Sequence, residues 1–137
     1  MSDKVFLDTN LVIYSYSEDE TQKFEIANRL LEKYENHIII STQVINELTN
    51  TLLRKFHLNA YEVKAVISEL NSNFPIVNFT LQTQLKAIEI KERYQLQFYD
   101  SLILATALEN ECHIVYSEDM HNGQIIEDKL TIINPFV

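Results

Sequence analysis

Glycine, proline and cysteine are almost missing from this chain of 137 residues. It holds one glycine, Gly123, two prolines, Pro75 and Pro135, and one cysteine, Cys112. So little glycine and proline excludes low-complexity linkers and flexible tails. One glycine also excludes a glycine-rich phosphate loop. A lone cysteine cannot form an internal disulfide, suits a reducing compartment and is expected to pack as a small hydrophobe. No apolar run approaches the roughly 18 residues of a membrane helix. Met1-Ser2-Asp3-Lys4 has neither the basic start nor the apolar stretch of a secretion signal, so the expectation is a cytoplasmic protein with no membrane partner. The four histidines form no metal-ligand pattern, and no serine stands in the elbow motif of a serine hydrolase.

What is present is ordinary for a globular protein: 46% hydrophobic and 23% charged residues. The length suits one domain over 1–137, enough to bury roughly two thirds of the unfolded surface. The formal net charge of −9 is less ordinary. An acidic chain repels phosphate backbones, so a basic footprint cannot be what brings nucleic acid here. Either nucleic acid is not the ligand, or divalent metals reverse the field where acids cluster.

The pattern along the chain alternates strands and helices. Lys4-Val5-Phe6-Leu7 is a buried strand ending at Asp8. A helix is predicted over about 19–34, with Phe24, Ala27, Leu30, Leu31 and Tyr34 on one face. His37-Ile38-Ile39-Ile40 is a second strand. Ser41 or Thr42 caps a helix to about Phe56, striped by Val44, Ile45, Leu48, Leu52 and Phe56. Asn59 caps another, carrying Val63, Val66, Ile67 and Leu70. Pro75 ends it and opens the strand Ile76-Val77-Asn78-Phe79. Thr80 begins a helix with Leu81, Leu85, Ile88 and Tyr94 as its apolar positions. The run from Tyr99 to Leu108 is apolar nearly all round and predicts a buried helix. His113-Ile114-Val115-Tyr116 is a fourth strand and Leu130-Thr131-Ile132-Ile133 a fifth. This alternation implies an α/β sandwich with a mostly parallel sheet.

The acids fall at telling places. Asp8 ends the first strand, and Ser117-Glu118-Asp119 comes directly after the fourth. Open parallel sheets bind ligands at the carboxyl ends of their strands, so these carboxylates share a cleft if the strands are neighbours. Asp100 is the only charge between Arg93 and Glu109, at the start of the buried helix. It suits a first-turn acid, a metal ligand, or both at once. Glu47 flanks an apolar stripe and taken alone reads first as a solvated residue, though its place in the helix lets it reach back to the strand ends.

Hard cations such as Mg²⁺ and Mn²⁺ prefer oxygen ligands, a few carboxylates plus water and substrate phosphate. Phosphodiester hydrolysis needs an activated water and neutralised phosphate charge, which such ions supply. Acids drawn from separate elements are what that chemistry requires.

Four segments carry a resemblance. Phe6-Leu7-Asp8-Thr9-Asn10, Val44-Ile45-Asn46-Glu47-Leu48, Tyr99-Asp100-Ser101-Leu102-Ile103 and Tyr116-Ser117-Glu118-Asp119-Met120 resemble, in order and spacing, the signature segments of PIN-domain ribonucleases, above all the VapC-type toxins of toxin–antitoxin pairs. The likeness runs from about Val5 to the end. It implies a three-layer α/β/α sandwich and metal-dependent cleavage of RNA. It further implies an antitoxin protein as partner and a homodimer. Asp8, Glu47, Asp100 and Asp119 would hold Mg²⁺ or Mn²⁺. Thr9 and Ser117 would be supporting hydroxyls, Asn10 a group behind the ligands, and Glu118 a neighbour whose place beside Asp119 leaves two candidates for one position. Arg54 and Lys55 are candidates for positioning the RNA strand, and His121 for touching it.

Two other readings stand beside this one. In the first, Asp8 is phosphorylated in a phosphotransfer domain, but the lysine such domains use after a late strand is missing. In the second, the chain is a non-catalytic interaction module that keeps only the fold, although all four acids are intact.

Overall fold

The computed structural model describes residues 3–137; Met1 and Ser2 of the predicted leaderless start lie outside the described residues. The elements are β1 (Val5–Leu7), α1 (Thr9–Tyr14), α2 (Thr21–Lys33), β2 (Ile38–Ser41), α3 (Thr42–Arg54), α4 (Ala60–Asn73), β3 (Ile76–Val77), α5 (Leu81–Tyr94), α6 (Phe98–Glu109), β4 (Ile114–Tyr116), β5 (Ile125–Ile126) and β6 (Leu130–Ile133). The strands form one sheet in the order β3-β2-β1-β4-β6-β5, parallel except for the antiparallel β5–β6 pair. Helices flank the sheet in an α/β/α sandwich, as the sequence predicts.

The reasons are local. Strand β1 is buried throughout, so it sits centrally between β2 and β4. Ser41 caps α3 by accepting from the Val44 N–H, and capping boxes start α4 at Asn59 and Glu62 and α5 at Thr80 and Thr83. Helix α6 buries seven consecutive residues from Ser101 to Ala107, packing along α5 and against β2 and β6. No helix of the described residues is long and apolar enough to cross a membrane. Cys112 is buried, and burial pushes its thiol up to about 12.

Several expectations need correction. Helix α1 went unpredicted, because six residues directly after a strand look like its apolar continuation. Strand β5, two residues long, was too short to show. Helix α3 stops at Arg54, leaving Phe56 beyond it and exposed. Strand β3 stops at Val77, because the Asn78 side chain takes the Phe79 N–H for itself. The largest error is rotational. Leu81, Leu85 and Ile88 are exposed, while Thr83, Ala87 and Ile90 form the buried face of α5. Tyr99, too, is exposed at the start of the otherwise buried α6.

Candidate active site

The sheet order changes direction between β1 and β4: successive strands run outward from β1 to β2 and β3, then return to its other side. At such a switch point the loops part and leave a crevice at the carboxyl ends of the strands. Leu7 pairs with Tyr116 in register, so the next residue on each strand faces the other across that crevice. Those residues are Asp8 and Ser117. The Ser117 hydroxyl donates to Asp8 Oδ2 at 2.7 Å, and the Thr9 N–H to Asp8 Oδ1 at 2.7 Å. Asp8 is thereby also the N-cap of α1.

Three more carboxylates reach this place from three other segments. Glu47, on the second turn of α3, accepts from the Thr9 hydroxyl at 2.7 Å. Asp119 accepts from Asn10 Nδ2 at 2.9 Å, and its own N–H donates to Ser117 Oγ at 3.2 Å. Asp100 is half-buried in the first turn of α6, and its carboxylate accepts no hydrogen bond among the described residues. Of the four supporting residues named from sequence, Thr9, Asn10 and Ser117 touch these acids, and Glu118 does not.

The charges feel one another. Asp8 is 6% exposed. Burial pushes its carboxyl up from 3.8 to about 6, against the pull of its bonds from Ser117 and Thr9, and with a push from Glu47 and Asp100. Asp100 is also raised, by burial first and then by Asp119 and Glu47. Like charges crowded at a partly dry cleft make a place where a cation is favoured.

Glu118 points elsewhere. It accepts from the Tyr14 hydroxyl at 2.7 Å and from Lys23 Nζ, which also donates to the Tyr14 hydroxyl at 3.1 Å. Burial works against its charge, but Lys23 and Tyr14 hold its carboxyl below the ordinary value. The Glu118 N–H donates to Asn10 Oδ1, and the Glu118 carbonyl accepts from Asn134 Nδ2. Consecutive residues of this loop therefore face opposite ways, and Asp119 is the one turned to the other acids.

Lys23, Tyr14 and Asn134 escaped the sequence reading, because nothing in their spacing ties them to the loop after β4. Gln43 escaped it too. It is buried, donates to the Tyr99 carbonyl at 3.2 Å and so fastens α3 to the start of α6 beside Asp100. Only its burial marks it out, and a glutamine in the first turn of an amphipathic helix does not announce that in sequence. Arg54 and Lys55 are not brought to the acids. They end α3, roughly 10 Å further along its axis than Glu47, and line a separate hollow with Asn50 and Thr51. His121 does lie at the cleft, in a cavity of about 490 Å³ that Asp100 and Asp119 also line.

The donors fit a hard cation by chemistry, being carboxylate oxygens from four elements. Among the described residues no group of three or more His, Cys, Asp or Glu side chains forms a ready-made ion cage. Hydrogen bonds from Ser117 and the Thr9 N–H, rather than a lysine, hold the Asp8 oxygens, which gives the phosphotransfer reading no support.

Comparison with known proteins agrees with this architecture. The family model described as "PIN domain" matches residues 5–121. A DNA-bound VapBC complex from Salmonella typhimurium superposes with a TM-score of 0.72 at 19% identity, covering 96% of this chain and 97% of that one. A toxin–antitoxin complex from Klebsiella pneumoniae gives 0.70 at 21% identity, covering 96% and 98%. A sarcin–ricin-loop-cleaving VapC toxin from Mycobacterium tuberculosis gives 0.68 at 17% identity, covering 82% and 87%. No curated protein matches in sequence. With the matched segment spanning nearly all of β1 to β4 and the loop beyond, the chain belongs to the PIN domain family.

Proposed function

We propose that this chain is a metal-dependent endoribonuclease, the toxin of a VapC-type toxin–antitoxin pair. One observation carries the reading. Asp8, Glu47, Asp100 and Asp119 arrive from four separate segments at the sheet's switch point, where burial first and one another's charge second raise the carboxyls of Asp8 and Asp100. These four residues would hold Mg²⁺ or Mn²⁺, which when bound activates water and neutralises charge on the scissile phosphate. Ser117 and the Thr9 N–H fix Asp8, the Thr9 hydroxyl orients Glu47, and Asn10 orients Asp119. Rigid carboxylates lose little freedom when a cation and a phosphate arrive, which is how positioning lowers a barrier. The formal charge of −9 then ceases to conflict with an RNA substrate, because a cation at the cleft supplies the attraction.

RNA as substrate class and an antitoxin as partner rest on the family and on what the similar structures are: a sarcin–ricin-loop-cleaving toxin and complexes of toxin with antitoxin. A homodimer is supported by the exposed stripe of Leu81, Leu85 and Ile88 on α5. Leu85→Glu is expected to shift the sedimenting mass from dimer to monomer; a monomeric wild type rejects the dimer. Cytoplasmic residence completes the reading.

The test is direct. Purified protein is expected to cleave RNA with Mg²⁺ or Mn²⁺, to stop in EDTA and to resume when metal is restored. Full activity in EDTA rejects the metal mechanism. No cleavage of any structured or unstructured RNA with either metal rejects the nuclease.

A further inference from the structure

The cavity that begins at Asp100 and Asp119 continues into a region with different chemistry. Leu96 is its half-buried apolar surface, with Met120 and Ile132 buried behind it, and Gln95, Gln97 and His121 supply its polar groups. No lysine or arginine lines it. A phosphate placed there would find no positive side chain, so this part suits a neutral portion of the substrate. The whole cavity, acids included, has a volume of about 490 Å³, in the ordinary range for small-molecule clefts.

Gln97 strengthens the point. It is the N-cap of α6, a position that serine, threonine, aspartate or asparagine would fill with a capping hydrogen bond. Its side chain makes no such bond, nor any other among the described residues. Helices α3, α4 and α5 start on Ser41, Asn59 and Thr80, each of which does cap. An unused amide at a cavity wall can offer a donor and an acceptor side by side, the pair that a base edge presents in return. His121 is exposed, and its ring has no partner among the described residues. Unstacked RNA bases are commonly recognised by aromatic stacking together with hydrogen bonds to their edges. Gln95 is steadier: left-handed at the end of α5 with φ 57°, it donates Nε2 to the Glu92 carbonyl and keeps Oε1 unbonded.

We infer that this cavity binds one unstacked nucleobase beside the linkage presented to the acids, with Gln97 reading its edge and His121 stacking on its face. The inference rests on the ribonuclease reading for the origin of the base, and deepens it by assigning where sequence is read. A base seated against Leu96 leaves its sugar on the side of Asp100 and Asp119, which sets which linkage is cut.

The experiment separates this inference from the nuclease reading by using uncharged probes and no cleavage. Adenosine, guanosine, cytidine and uridine are titrated separately into methyl-labelled protein in EDTA. Saturable shifts at Leu96, Met120 and Ile132 are expected with at least one nucleoside. Loss of an edge contact or a stacking partner should weaken that binding roughly tenfold or more in Gln97→Leu and in His121→Ala. Unchanged methyl signals of Val63 and Leu70 on α4 serve as the check that each variant is folded. No shift with any nucleoside overturns the inference, as do shifts confined elsewhere or variants that bind as wild type does. RNA cleavage by the same preparations is measured alongside, with Mg²⁺. Cleavage without nucleoside shifts removes the base site and leaves the nuclease; shifts without cleavage do the reverse.

Discussion

Asp8 and Asp119 lie just past neighbouring strands and face one cleft, yet they live in opposite surroundings. Asp8 is buried against the end of the sheet, with both oxygens bonded by groups of the protein. Asp119 stands exposed and receives one side-chain donor, from Asn10. The difference teaches where the site keeps its electrostatic tension. A carboxylate in water costs little to ionise, whereas one taken out of water beside like charges is unfavourable until a cation arrives. On the proposed reading the buried acid links folding to metal binding, while the exposed one costs the fold almost nothing.

The greatest expected effect is one that would erase this contrast. Asp8→Asn and Asp119→Asn should each lower metal-dependent RNA cleavage by about a thousandfold or more, because acids around shared ions act as a unit. Initial rates on a fluorogenic RNA decide it, and an Asp119→Asn rate near wild type would make the exposed acid dispensable.

Stability should divide the two. The folded state keeps the Asp8 proton up to about pH 6, while the unfolded chain releases it near 3.8. Between those values the folded state binds more protons, so stability without metal falls as pH rises; above pH 6 the whole penalty is present. It amounts to about 3 kcal/mol at most. In EDTA at pH 7, Asp8→Asn should therefore melt higher than wild type, and the gap should close toward pH 4. Coincident melting curves at both pH values would show that Asp8 carries no tension.

Magnesium should relieve the same tension from the other side. At a hundredfold its dissociation constant it adds about 2.7 kcal/mol to a protein that binds it only when folded. Wild type should gain more from Mg²⁺ than Asp8→Asn does, and equal gains in calorimetry would exclude Asp8 from the ion's surroundings. The smallest effect belongs to the exposed acid: in EDTA, Asp119→Asn should change stability by less than about 0.5 kcal/mol.

The residues differ in how far their places could be read from sequence. The crevice was legible because short apolar runs ending in Asp8 and in Ser117-Glu118-Asp119 mark both strand ends and the acids just beyond them. Asp100 was legible because a single charge at the edge of an apolar run needs a reason. Helix α5 was not. Leu81, Leu85 and Ile88 make as good an apolar stripe as any, but the face turned inward holds Thr83 and Ala87, which pack along the buried length of α6. Periodicity finds a stripe without saying whether the chain's own core or something else covers it. Glu118 shows a second limit. Sequence puts it beside Asp119, and only the fold brings Lys23 and Tyr14 to its other side.

Cys112 gives the molecule a practical property. Maleimides and peroxides react with the thiolate, and this thiol is both buried and held protonated far above neutral pH. The native cysteine should stay silent toward labelling reagents while the fold is intact. Tyr99→Cys, at an exposed position in the first turn of α6, would then supply the single reactive handle, and a dye there would sit beside the cavity without taking the place of Gln97. Its quenching or release would report, in real time, whatever enters the cleft.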